Sequence, residues 1–154
     1  LKRMQPEYEV VVYEKGDVVS FGACGLPYFV GGFFDDPNNM IARSPEKFRE
    51  TGIDLKTFNE VVDVDVNNKK VTVRNLETGV EFEDSYDKLR VATGASSIIP
   101  PRKNVKLENV STLKSMADGI KVKELLNKDE NKNVVIIGAG FIGLEAVEAA
   151  KKLG

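Results

Sequence analysis

A chain of 154 residues has room for one ordinary domain, or for one domain and part of another. With 42% hydrophobic and 30% charged residues it can pack a core beneath a soluble surface, and a net charge of −2 leaves no electrostatic footprint for nucleic acid. One cysteine excludes an internal disulfide framework, the lack of histidine removes Ser-His and Cys-His triads and the commonest metal ligand, and no apolar run approaches the roughly 20 residues of a membrane span.

The opening LKRMQPEYEV lacks the apolar centre of a signal peptide. A lone cysteine fits a reducing compartment, so a cytoplasmic protein with neither nucleic-acid nor membrane partners is expected. Leu1 to Met4 read as the last turn of a helix, with Lys2 and Arg3 at its carboxyl end, and the chain stops just after another helix. Both ends therefore predict a piece cut from something longer.

Glu9 to Glu14 (EVVVYE) is a nearly continuous β-branched run, the pattern of a buried parallel strand, and Lys15-Gly16-Asp17 ends it. Ser20 to Gly32 (SFGACGLPYFVGG) predicts a loop entering a short helix, with Pro27 suited to its first turn. Phe33 to Asn39 is a second loop. Its Asp35-Asp36 pair invites a metal reading, but adjacent acids in a Pro/Asn loop are ordinarily solvated. Ser44-Pro45-Glu46 predicts an N-cap and a helix to about Thr51, stopped by Gly52.

Glu60 to Val66 and Lys70 to Arg74 alternate in the manner of strands around an Asn67-Asn68 turn, and Glu81 to Glu83 predicts a third strand. Leu89 to Ala92 reads as a short buried strand ended by Thr93-Gly94, and Pro100-Pro101 as a linker. Met116 to Leu126 has helical spacing. Asn133 to Ile137 (NVVII) predicts a second parallel-type strand, running through Gly138 into a helix from Phe141 to about Leu153.

The chemistry concentrates in three places. VVIIGAGFIGLEA sets Gly138, Gly140 and Gly143 in GxGxxG spacing between a predicted strand and a predicted helix. The first glycine makes the tight turn, the second admits a pyrophosphate, and the third lets helix and strand pack closely. The free N–H groups of the helix start then attract the phosphates. The acid that would read the ribose falls beyond residue 154, which leaves NADH and NADPH equally open. Glu14, at the end of the first strand, is placed to accept ribose hydroxyls, although a solvated glutamate is the ordinary reading of such a residue alone.

Cys24 is the third. A cysteine is commonly small core filler, but this one lies among Gly22, Gly25 and Pro27 at a predicted helix start, where the dipole favours a thiolate. Lacking a second cysteine, it would cycle through a sulfenic acid or a mixed disulfide.

Taken together, SFGACGLPYFVGG, YDKLRVATGA and VVIIGAGFIGLEA resemble the single-cysteine branch of the pyridine nucleotide–disulfide oxidoreductases, which comprises coenzyme A disulfide reductases and NADH oxidases and peroxidases. The resemblance implies an α/β fold: an incomplete FAD-binding Rossmann-like domain with an antiparallel β ribbon, then the first β-α unit of an NAD(P)-binding Rossmann domain. It implies a partial FAD-binding domain over 1–100, lacking its first strand and glycine motif, a crossover linker and helix over 101–131, and the start of the NAD(P)H-binding domain over 132–154.

By the same resemblance Glu14 and its neighbour Lys15 belong to the FAD ribose site, Val61 meets the adenine through its backbone, and Ala92-Thr93-Gly94 closes over the flavin. Gly138, Gly140 and Gly143 hold the NAD(P)H pyrophosphate, with Glu145 near the nicotinamide. Cys24 is the redox-active thiol, and Ser20 and Lys56 match coenzyme A contacts. Alone, Lys56 reads as a solvated strand residue. One departure stands out: the coenzyme A disulfide reductases carry asparagine immediately before the cysteine, and this chain carries Ala23.

The activity implied is NAD(P)H oxidation through FAD and Cys24, with a small disulfide, oxygen or peroxide as acceptor, in a protein that is a homodimer when full length. Two alternatives stand beside it. One is a flavin reductase for an electron-transfer protein in which Cys24 only packs. The other is a non-catalytic fragment that binds FAD poorly.

Overall fold

The computed structural model describes residues 1–128 and 133–154. The described residues form two compact units, each assembled from separate stretches of chain. The first takes 1–21 and 43–93, the second 22–42 and 94–154.

The first unit begins with a single turn closed by the Gln5 N–H donating to the Leu1 carbonyl at 2.9 Å, rather than a helix. Strand β1 (Val11–Tyr13) then pairs in parallel with β2 (Asp54–Lys56), Val12 facing Leu55 across the ladder. The predicted strand from Glu9 is thus trimmed to the three residues that β2 can pair. Helix α2 (Pro45–Arg49) starts as expected, with Ser44 Oγ accepting the Lys47 N–H. It ends two residues before Thr51, and Gly52 takes the left-handed φ of +78° that turns the chain toward β2.

Strands β3 (Asn59–Asp65), β4 (Lys70–Asn75) and β5 (Glu81–Ser85) make the expected antiparallel ribbon. The turn between β3 and β4 is fixed by Asp65, whose carboxylate accepts the Asn68 N–H at 2.9 Å, and Lys69 takes the positive φ of +52°. Register slips between Val61 and Asp63, which leaves Val62 as a bulge. Leu55, Val71 and Val73 are the buried apolar residues of this unit.

In the second unit a 3-10 turn (Ala23–Gly25) runs directly into α1 (Leu26–Val30), with Pro27 in its first turn. A second 3-10 turn spans Pro37–Met40 and is capped by Asp36, which accepts the Asn38 N–H. Helices α3 (Met116–Leu126) and α4 (Phe141–Lys152) pack on α1, and Leu26, Phe29, Val30, Met40 and Ala149 are the buried apolar residues among those described in this unit. Two small residues permit the close approach. A Cβ on Gly119 would sit 2.7 Å from Leu26 Cδ2, and one on Gly31 would sit 3.2 Å from Ala149 Cβ.

Helix α3 occupies its predicted span because its start is doubly capped. Ser115 Oγ accepts the Asp118 N–H, and Asp118 Oδ2 accepts the N–H groups of Ser115 and Lys114. Burial opposes the charge of Asp118, yet those donors and the Thr112 hydroxyl hold its carboxyl below the usual range. A lowered native value means that the carboxylate's contribution is complete above the unfolded pKa and fades as pH falls through the native one. Asp118→Asn is therefore expected to cost about 1 kcal/mol at neutral pH and nothing once both forms are protonated. Urea unfolding of the two forms at neutral pH and near pH 2 checks this, and a cost that persists in acid would contradict it.

Two expected strands do not form. Leu89 to Ala92 and Asn133 to Ile137 are without a ladder, and Val91, Val135 and Ile137 are exposed at 72, 86 and 90%. An apolar β-branched run shows what a segment would bury, whereas a strand also needs a neighbouring backbone to pair its N–H and C=O groups. Among the described residues no such neighbour lies beside either run. The expected boundary at 131/132 lies outside the described residues.

Candidate cofactor and thiol sites

The glycine turn is the best-defined site. Gly138, ahead of α4, has φ +121°, a conformation that favours glycine. Gly140 is the N-cap, extended at φ −78° and ψ −179°, with nothing within 4 Å of where a Cβ would lie. Gly143 is the crowded one. A Cβ there would be 2.0 Å from the Gly138 carbonyl oxygen and 3.7 Å from Ile136 Cγ2. The three glycines thus differ in conformation and clearance, and the segment before them is no strand. Helix α4 starts with neither a side-chain cap nor an acid in its first turn. Glu145, exposed on α4, borders a shallow depression with Pro27, Tyr28 and Phe33.

Cys24 is a free, exposed thiol in the middle of the 3-10 turn. Its segment is tied behind: the Gly22 N–H donates to the Met40 carbonyl at 2.7 Å, and a Cβ on Gly25 would press Met40 Cγ at 3.1 Å. Cys24, Gly94, Gly138, Gly140, Gly143 and Glu145 all belong to the second unit. Gly94 takes φ +71°.

Glu14, Lys15, Ser20, Lys56, Val61, Ala92 and Thr93 belong to the first unit. Because β1 and β2 are parallel, Glu14 and Lys56 fall at the same carboxyl end of the pair, the edge at which α/β sheets bind ligands. Glu14 Oε1 accepts the Gly16 N–H at 2.8 Å, which orients the carboxylate. Val61 is the last regular pair before the bulge. Ser20 is half-buried, while Ala92 and Thr93 are exposed.

Lys56 is already engaged. Its ammonium lies 3.4 Å from Asp54 and over the rings of Tyr13 and Phe82, at 5.5 and 5.9 Å from their centroids. Sequence reasoning passed over Tyr13, whose hydroxyl donates to Asp84 at 2.5 Å. Burial, then that bond and the charges of Asp84 and Asp54, push the Tyr13 phenol far above its ordinary value. It passed over Lys123 as well, which pairs with Asp35 at 2.8 Å and thereby holds that exposed carboxyl below its usual range. Asp36 is spent on its cap, so the adjacent acids have separate structural employments.

A glycine of positive φ, an open glycine and a crowded glycine therefore stand at the mouth of an uncapped helix, in the spacing that dinucleotide-binding α/β folds use. The chain belongs to the pyridine nucleotide–disulphide oxidoreductase family, whose pattern it matches over residues 1–154. It is 37% identical over 149 residues to an NADH oxidase of Enterococcus faecalis, covering 97% of this chain and 33% of that one. It is 32% identical to a coenzyme A disulfide reductase of Staphylococcus haemolyticus, covering 96% of this chain and 33% of the other. The structure of a NAD-dependent persulfide reductase from A. fulgidus superimposes with a TM-score of 0.89 at 36% identity, over 99% of this chain and 29% of that one.

The chain therefore spans about a third of the length of the curated relatives it matches. The resemblance to the single-cysteine branch and the α/β fold class hold, and the family is one of oxidoreductases that use FAD and a pyridine nucleotide. Among the described residues no helix is long and apolar enough to cross a membrane.

Proposed function

We propose that this chain supplies the thiol, the FAD-ribose acid and the nicotinamide phosphate turn of a flavin-dependent NAD(P)H oxidoreductase. In it, electrons pass through Cys24 to a small acceptor. The observation that carries the reading is the Gly138–Gly143 turn, where one glycine leaves room for a ligand and another has none for a side chain. FAD, when bound, supplies two-electron transfer between the nicotinamide and the thiol.

The chain's own residues do the rest. The leading N–H groups of α4, which have no side-chain cap, hold the dinucleotide phosphates, and Glu14, oriented by Gly16, accepts the FAD ribose hydroxyls. Lys15, Val61, Ala92, Thr93 and Gly94 complete the flavin site, and Glu145 lies toward the nicotinamide. The Cys24 thiolate attacks an acceptor disulfide, expels one thiolate and keeps the other half as a mixed disulfide. Two electrons then cleave that bond, restoring Cys24 and releasing the second thiol. In this reading 1–100 is part of the FAD-binding domain, 101–131 the crossover and 132–154 the start of the NAD(P)H-binding domain. The whole protein is a cytoplasmic homodimer.

Coenzyme A disulfide should be a slow acceptor. Ala23 offers no side-chain hydrogen bond beside the thiol, and Lys56 must leave Asp54 and two aromatic rings to reach a phosphate, with only Ser20 ready. One missing neutral hydrogen bond weakens binding by about 0.5–1.5 kcal/mol, up to roughly tenfold. Oxygen, or a smaller disulfide or polysulfide, is expected to show the higher kcat/KM at equal NADH. Ala23→Asn should raise the coenzyme A disulfide value alone. A coenzyme A disulfide kcat/KM above the others, or no gain in A23N, would overturn this ranking.

A further inference from the structure

We propose that Lys123 of α3 is a positioning residue for Cys24, fixing from behind the short helical rod whose front end carries the thiol. The inference rests on the reading of Cys24 as the redox thiol.

The 3-10 turn and α1 together span only Ala23 to Val30, far below the roughly 12–15 residues at which a helix holds itself in water. External contacts must therefore hold it. Helix α3 provides them from one face, on which Gly119 and Lys123 are neighbours four residues apart. Gly119 admits Leu26, whose Cδ2 would stand 2.7 Å from a Cβ there, and leaves Phe29 in ordinary contact at 3.5 Å. Lys123 then reaches past them. Its Nζ donates to the Phe34 carbonyl at 3.1 Å and to Asp35 Oδ1 at 2.8 Å, and it lies 4.4 Å from the Phe29 ring centroid.

The asymmetry of exposure is the telling feature. The Lys123 side chain is 14% exposed and that of Asp35 is 96%. An ion pair with so exposed a partner adds little stability, whereas an ammonium drawn out of water is costly. A methionine would cover Phe29 at no such cost. What only the lysine provides is direction: all three of its partners lie between Phe29 and Asp35, on the stretch that continues the Cys24 rod. Lys123 ties the stretch just beyond the rod to the face of α3 on which Leu26 and Phe29 pack, which restrains the rod from sliding along α3. Such a motion would carry Cys24 away from its reacting partner.

The test uses the intact flavoprotein. In Lys123→Met, flavin reduction by NADH is expected within about twofold of wild type, while turnover with a disulfide acceptor falls roughly tenfold or more. The rate of Cys24 alkylation by iodoacetamide should change in parallel. Turnover falling at least threefold more than flavin reduction supports the role. A smaller split, or wild-type alkylation kinetics, overturns it and leaves Lys123 a packing residue. Lys123→Gln, polar but shorter, carries the same criteria if the methionine variant does not accumulate folded. Cys24→Ser is run alongside: if it keeps disulfide turnover, the thiol reading has failed, and that failure is separable from wild-type behaviour of Lys123→Met.

Discussion

Cys24→Ser in the intact flavoprotein is expected to lower turnover with disulfide or peroxide acceptors at least a hundredfold, about 2.7 kcal/mol of barrier, while flavin reduction by NAD(P)H stays within about twofold of wild type. The two half-reactions use different parts of the chain. Dinucleotide capture depends on the Gly138–Gly143 turn and the start of α4, which the substitution does not touch. Acceptor reduction depends on a sulfur that can attack, be attacked and be reduced again, and a serine hydroxyl does none of these at neutral pH. The replacement is nearly isosteric at an exposed position, so stability should be unchanged. Single-turnover flavin bleaching alongside steady-state acceptor assays separates the halves. Full acceptor turnover in the variant would make Cys24 structural and favour a flavin reductase that serves an electron-transfer protein.

Substitution of Gly143 is expected to do the opposite. A Cβ there would stand 2.0 Å from the Gly138 carbonyl oxygen, so alanine can enter only by displacing backbone. Valine adds two branched carbons to the same gap. Overpacking of this kind costs about 1–3 kcal/mol, and the cost falls on the turn that places the phosphates. NADH affinity should therefore drop in the order Gly, Ala, Val, with Gly143→Val weaker by tenfold or more, about 1.4 kcal/mol. Flavin absorbance should be retained. The concentration dependence of flavin bleaching reads the affinity directly. A valine variant with wild-type NADH dependence would show that the turn does not hold the dinucleotide.

Local signals were legible in the sequence. Ser44-Pro45 fixes one helix start through a bond spanning three residues, helical spacing marks α3, and alternation around Asn67-Asn68 gives the ribbon. The glycine turn was readable because its geometry is set within six residues. Harder to read was anything that depends on distant partners. The runs 89–92 and 133–137 carry strand composition but lack a ladder, since pairing belongs to two segments and not to one. Tyr13 meets Asp84 across 71 positions and Lys123 meets Phe34 across 89, separations at which no periodicity gives a warning. Lys56 illustrates the reverse. Its sequence position suggested an open cation, and its neighbours in space turned out to be a carboxylate and two rings.

The order in which a ribosome releases this chain gives the interleaved connectivity a further meaning. All of β1 to β5 has emerged by residue 93, so the first unit has its strands early. Residues 22–42 emerge early as well, but the surfaces that cover Leu26, Phe29 and Val30 lie on α3 and α4, which are made later. During synthesis the Cys24 segment is thus an excursion with its apolar side uncovered and its thiol accessible, waiting for more than 70 further residues. A nascent chain paused before residue 116 should present Cys24 to alkylating reagents together with an exposed Phe29, and chaperone binding would be concentrated on that one stretch.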